Sequence, residues 1–287
     1  MLRFFKRSKR LSLAGQILKD IDTKHTGVLA AGSAYFIVLS FFPFLAAAVA
    51  LSSLVLSSGD VDYIFQNINS YLPADIASLV TSQLAAAQDN KGQNVVFAIL
   101  AILIALFSVS GGVDNITRAL SAVYGAKRKR NFIQARIRGG LMTLGLIALV
   151  VLIGLLLSLN GILLSQLGLP DWLAAIGSSV RWVVIILMLF GAMGVLYRYG
   201  PDRKPGSKTP WFTVGAGVAV ILSLVFTFIF FVYARYFASF SDTYSFFAGV
   251  IVLMLWCNLL SFAILIGAHF DVIKKELTIK ELIAKIK

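Results

Sequence analysis

Six long apolar runs decide what this chain can become. They lie at about 28–56, 95–113, 139–165, 178–199, 211–237 and 246–268. Each reaches the ~18 residues that carry a helix across the hydrocarbon of a bilayer. A soluble fold could not hide them: 59% of the chain is hydrophobic and 14% charged, and a globular exterior needs more polar side chain than that. The expected fold is all-α, a polytopic membrane protein of six transmembrane helices with amphipathic interfacial helices. The first run is too long for the apolar core of a signal peptide and reads as the first span. Pro43 stands in its middle, where a lost backbone donor predicts a kink.

Charge orients the bundle. The net charge is +13, which in a soluble protein would point to nucleic acid. Its distribution points elsewhere. With the N-terminus inside, segments 1–27, 111–140, 197–210 and 269–287 hold 23 of the 26 Lys and Arg, and only Lys91, Arg181 and Arg235 fall outside. That bias satisfies the positive-inside rule at every crossing. It predicts an inner-membrane protein with both termini in the cytoplasm, and it makes Lys127 to Arg130 a topology determinant rather than a nucleic-acid site.

Three segments flank the spans in the expected domain plan: a cytoplasmic basic segment 1–26, the transmembrane domain 27–268, and a cytoplasmic tail 269–287. In the first, Leu2, Phe5, Leu13, Ile17, Leu18 and Ile21 alternate with basic side chains, the pattern of a helix lying on an anionic leaflet. The tail repeats it with Phe270, Ile273, Leu277, Ile283 and Ile286 among five lysines. The long outer loop 59–94 reads as two short amphipathic helices, a lid or a cover over the outer mouth. No internal repeat is visible.

Polar residues within spans are costly and mark function more often than surface ones do. The substrate-pathway candidates are Ser33, Tyr35, Ser40 and Pro43 in the first span, Asn160 in the third, and Asn258 and Ser261 in the sixth. Ser33 and Ser40 are seven apart and share a face; Tyr35 points elsewhere. A hydroxyl can bond back to its own helix, whereas an amide such as Asn258 is not satisfied that way alone. The ion-pair and boundary candidates are Asp114 with Arg118 at i,i+4, Arg235 with Asp242 across a short loop, and His269 and Asp271 closing the sixth span. Gly215, Ala219, Ser223 and Thr227 recur every four residues and predict a closely approached helix face.

Enzyme signatures are missing. The chain has no phosphate-binding loop and no dinucleotide fingerprint. Its two histidines, His25 and His269, lie on different helices, and no Cys/His cluster has metal-ligand spacing. The lone Cys257 allows no internal disulfide and reads as a small packed side chain. No catalytic residue, metal or cofactor is assigned, and two-metal hydrolysis lacks the converging acids it needs.

Several segments resemble the YihY/BrkB family of bacterial membrane proteins. They are 31–43, with Tyr35 and Pro43; 110–124 and its basic loop; 244–256; and 265–271. The resemblance runs through almost the whole chain in order. Departures are Ser245 where glycine is usual, His269 where glutamate is usual, and Asp271 where asparagine is usual. Either a His269–Asp271 pair replaces that glutamate or the place is structural. The family was once labelled ribonuclease BN, a label regarded as a misassignment. The resemblance implies an envelope role, with some members linked to serum resistance and related ones to export of lipopolysaccharide precursors. The leading expectation is a transporter or flippase-like protein for a lipid or amphiphile. The alternatives are a non-catalytic envelope scaffold and a disfavoured membrane ribonuclease. Expected partners are membrane lipids, including anionic head groups at the cytoplasmic face. Nucleic acid is not among them, and a homo-oligomer is left open.

Overall fold

A computed structural model describes residues 13–55, 95–126, 131–158, 171–202, 210–237 and 245–286. Within them the chain forms seven α-helices: α1 (Leu13–Thr23), α2 (Thr26–Val55), α3 (Val95–Val123), α4 (Phe132–Ser158), α5 (Asp171–Tyr199), α6 (Val214–Phe237) and α7 (Ser245–Ile286). No strand occurs among the described residues. Five helices are long and apolar enough to cross a membrane, over Thr26–Phe44, Ile133–Leu157, Ser179–Tyr199, Val214–Tyr233 and Gly249–Thr278. The run at 95–113 forms the first part of α3. Segment 1–12, the outer loop 59–94, the basic run at 127–130, Asn160 and Asp242 lie outside the described residues.

Helix ends explain where the runs were misjudged. Helix α4 starts at Phe132 rather than 139, because Arg136 and Arg138 extend the helix beyond its apolar stretch. Helix α5 starts at Asp171, directly after Pro170. The expected separate tail helix does not exist as such. Residues 269–286 continue α7 without a break, for they contain neither Gly nor Pro to stop it. Pro43 sits inside α2 without ending it. Helix α3 ends on Gly125, whose φ of 64° is the left-handed cap. Gly125 N–H bonds Ala122 O at 3.1 Å and Ala126 N–H bonds Ser121 O at 2.8 Å, a Schellman pair that satisfies the last carbonyls.

The six long helices form a ring in chain order, each touching the next and α7 closing on α2, while α3 also touches α7. The seams α2–α3 and α6–α7 are extensive; α4–α5 and α5–α6 are sparse. Small residues set the close seams. A Cβ on Gly215 or Gly267 would overlap the other's backbone carbonyl, and one on Gly267 would also stand 2.8 Å from Ala219 Cβ. Ala219 is fully buried, and Trp256 Nε1 donates to Thr227 Oγ1 at 3.3 Å further along. The four-residue ladder on α6 therefore lies against α7. In α4, Gly139 meets Ser110 of α3, where a Cβ would stand 2.7 Å from its carbonyl oxygen. Helices in hydrocarbon gain their association from such close packing.

Candidate functional site at the basic end of the bundle

One end of the ring carries most of the polar side chains that bond between helices. The turn between α1 and α2 places His25 at φ 48°, so that α1 folds back beside α7. Ile17 of α1 is buried while Leu18 is 67% exposed. Lys24 Nζ donates to Val123 O at 2.8 Å, tying the turn to α3. Asp202, just after α5, donates its N–H to Ser121 Oγ at 2.9 Å. Tyr197 hydroxyl donates to Ile264 O at 2.5 Å. These bonds bring the ends of α1, α3 and α5 onto the α7 level that holds His269.

His269 is fully buried and makes two bonds. Nδ1 lies 3.0 Å from Asp20 Oδ2 and Nε2 lies 2.8 Å from Thr26 Oγ1. A carboxylate can only accept, so Nδ1 carries a proton. Lys24 Nζ adds a second donor to the same carboxylate oxygen at 2.7 Å. Burial pushes the Asp20 carboxyl up, but the hydrogen bonds and charges of Lys24 and His269 outweigh it and hold the group below its ordinary range. Carboxylate, imidazole and hydroxyl in series are also the parts of a hydrolase triad. Here Thr26 and His269 are both completely buried, so no substrate carbonyl reaches the hydroxyl. The arrangement joins three helices rather than exposing a nucleophile.

Asp271 does something different. Its Oδ1 accepts the Gly215 N–H at 2.8 Å, and Tyr124 hydroxyl lies 3.5 Å from Oδ2. Thr213 Oγ1 accepts the Ala216 N–H at 3.0 Å. The first turn of α6 is thus capped by its own threonine and by a carboxylate from α7, where the helix dipole favours negative charge. Replacing Asp271 by Ala should cost about 1–2 kcal/mol, read as a lower melting temperature in detergent. Asp271→Asn keeps the acceptor and should lose less.

A cavity of about 350 Å³ opens at this same end, between α3, the start of α4 and the end of α5. Asp114, Arg118 and Ser121 of α3, Ala135 of α4 and Asp202 line it. Arg118 Nε donates to Asp114 Oδ2 at 2.8 Å, the i,i+4 pair expected from spacing. Arg118 is half exposed and Asp114 largely covered.

The pathway candidates do not converge. Ser33 is fully buried against α3; it donates to Leu29 O at 2.8 Å, and Asn115 Nδ2 lies 3.5 Å away. Ser40 Oγ lies 2.6 Å from Phe36 O and 2.8 Å from Ser108 O, and its single proton serves one at a time. Tyr35 is 52% exposed on another face. Asn258 is half-buried, and Ser261 is fully buried with no hydrogen-bond partner for its hydroxyl among the described residues. Arg235 is exposed. His269 and Asp271 do not pair with each other: they lie two apart on one helix and bond to different elements. The sequence reading missed Asp20, Lys24 and Thr26. Asp20 and Lys24 carry an i,i+4 signal, but nothing local in Thr26 announces a partner 243 residues away. Among the described residues, no three His, Cys, Asp or Glu side chains stand close enough to hold a metal ion.

Apolar spanning helices around a small-residue core define a multi-pass helical membrane protein. The comparisons make this specific. Residues 17–284 match the family model described as "Virulence factor BrkB", and the chain belongs to that family. It is also 32% identical over 245 residues, 83% of this chain and 86% of the relative, to the ribonuclease-like protein YfkH of Bacillus subtilis. No solved structure matches it.

Proposed function

We propose that this BrkB-family protein handles a phosphate-bearing lipid or amphiphile of the bacterial inner membrane and moves it between leaflets. In this reading it has six spans, both termini are cytoplasmic, and the end carrying the cavity faces the cytoplasm. The observation that carries the proposal is that cavity of about 350 Å³. It lies where the basic segments gather, its polar lining includes Arg118, and its volume suits a small ligand. Basic segments beside it attract anionic head groups to the surface.

The test is reconstitution of the purified protein into vesicles carrying a leaflet-specific fluorescent phospholipid. Movement of label faster than in protein-free vesicles is the expected result. Equal rates with and without protein, for phospholipids and for a lipid A precursor alike, would sink the proposal. The name of the Bacillus relative raises a second reading, RNA cleavage. The burial of Asp20, His269 and Thr26 argues against it. Purified protein should leave RNA intact, and a preparation whose cleavage disappears with Asp114→Asn would reverse that expectation.

A further inference from the structure

The cavity has a continuation. Helix α4 leaves it from Ala135, which is 5% exposed. At about 100° per residue, positions 11, 15 and 22 further on return to nearly the same side. Those positions are Leu146, Val150 and Leu157, and they are 47%, 59% and 44% exposed. Leu144 and Leu152 point to other sides of α4 and are 54% and 50% exposed. From Leu144 to Leu157 no side chain of α4 is buried. Helix α4 therefore presents apolar side chains both to the surrounding bilayer and toward the space beside α5. The two helices meet again where Arg181 Nη1 donates to Leu157 O at 3.3 Å. A polar cavity thus stands at the foot of an apolar track. From Ala135 to Leu146 the helix rises about 16 Å, close to half the ~30 Å hydrocarbon thickness, which is one leaflet.

The lining chemistry narrows the occupant. Two carboxylates, Asp114 and Asp202, stand with one guanidinium, Arg118, and the hydroxyls of Thr117 and Ser121. Arg118 directs two of its N–H groups to Asp114, and a guanidinium has five, so others are left for phosphate. A purely anionic head group would meet two carboxylates with nothing to offer them. A choline head group carries positive charge but no N–H donor. A primary ammonium beside a phosphate satisfies both signs.

We propose that this cavity binds the head group of a phosphoethanolamine-type phospholipid, with its acyl chains along α4 beside α5. The phosphate pairs with Arg118 and the ammonium with Asp114 and Asp202. This deepens the lipid-handling reading and rests on it for the orientation in the membrane, but binding and movement are measured separately.

The experiment uses the full chain in detergent, exposed to equal amounts of phosphatidylethanolamine, phosphatidylcholine and phosphatidylglycerol, with retained lipid weighed by native mass spectrometry. Preferential retention of phosphatidylethanolamine is expected. The preference should fall about tenfold or more in Asp202→Asn, since a charge-assisted hydrogen bond is worth ~1.5–3 kcal/mol. It should also be lost in Ala122→Trp, which fills the cavity from an exposed position and leaves the core alone. Equal retention of the three lipids, preference for phosphatidylglycerol, or unchanged preference in both variants would overturn the site. Selective binding without leaflet movement would uphold the site while removing the transport reading. Movement with no head-group preference would do the reverse.

Discussion

Gly267→Leu is expected to abolish recovery of folded protein, seen as loss of the monodisperse peak after detergent extraction. The reason is geometric. Any Cβ at 267 overlaps the Gly215 carbonyl and the Tyr197 hydroxyl and presses on Ala219 at 2.8 Å. The first obstacle is backbone, which cannot rotate away as a side chain would. Overpacking ordinarily costs about 1–3 kcal/mol, and a backbone obstacle at a helix crossing belongs at or above the top of that range. Gly215→Leu should behave alike, since its Cβ would also stand 2.6 Å from Asp271 Cγ. Gly145→Leu on α4 is the control. Nothing lies within 4 Å of a Cβ there, so its folding yield should match that of the unaltered protein. Equal yields for Gly267→Leu and Gly145→Leu would mean that α6 and α7 do not cross at these glycines.

His269→Ala should produce the second largest loss. It strands the Thr26 hydroxyl in a fully buried place and removes one of the donors to Asp20. Each buried group left without a partner costs ~1–3 kcal/mol. Asp20→Asn should cost less, because Lys24 then remains free to bond Val123 O. The two changes share one network, so the double variant should lose less than the two losses added together. Simple additivity in melting temperature would show that they act separately. Acid probes the same carboxylate. Its pKa is lowered on folding, so its stabilising contribution is complete above the unfolded value of ~3.9 and is lost as pH falls through the lower folded value. Protease release of the segment before α2 should therefore stay constant from neutral pH to about 4.5 and rise below about 3.9. Asp20→Asn should flatten that rise.

What the sequence disclosed and what it withheld follow from the range of each interaction. Spans are local: an apolar run states its own length, and spacing alone identified the α6 ladder and the Asp114–Arg118 pair. Helix ends were harder because charged residues continue a helix as readily as they mark its boundary. Arg136 and Arg138 sit inside α4, and Lys274 and Lys275 inside α7. The polar candidates were recognised as unusual but given the wrong companions. Ser33 and Ser40 were read as facing a pathway, and they face α3 through Asn115 and Ser108 O. His269 was paired with its neighbour Asp271, while its partners are Asp20 and Thr26, more than 240 residues earlier. No periodicity within one helix encodes which distant helix will supply a hydrogen bond.

The unbroken 42-residue α7 has a mechanical consequence. At ~1.5 Å per residue it is about 63 Å long, roughly twice the hydrocarbon thickness. Its tight crossing with α6 at Gly267 lies about midway, and α1 is fastened just beyond it at His269. Such a rod is a lever with a fulcrum. A rocking of its buried arm is delivered at the far tip with the opposite sign and similar amplitude, and α1 rides with it.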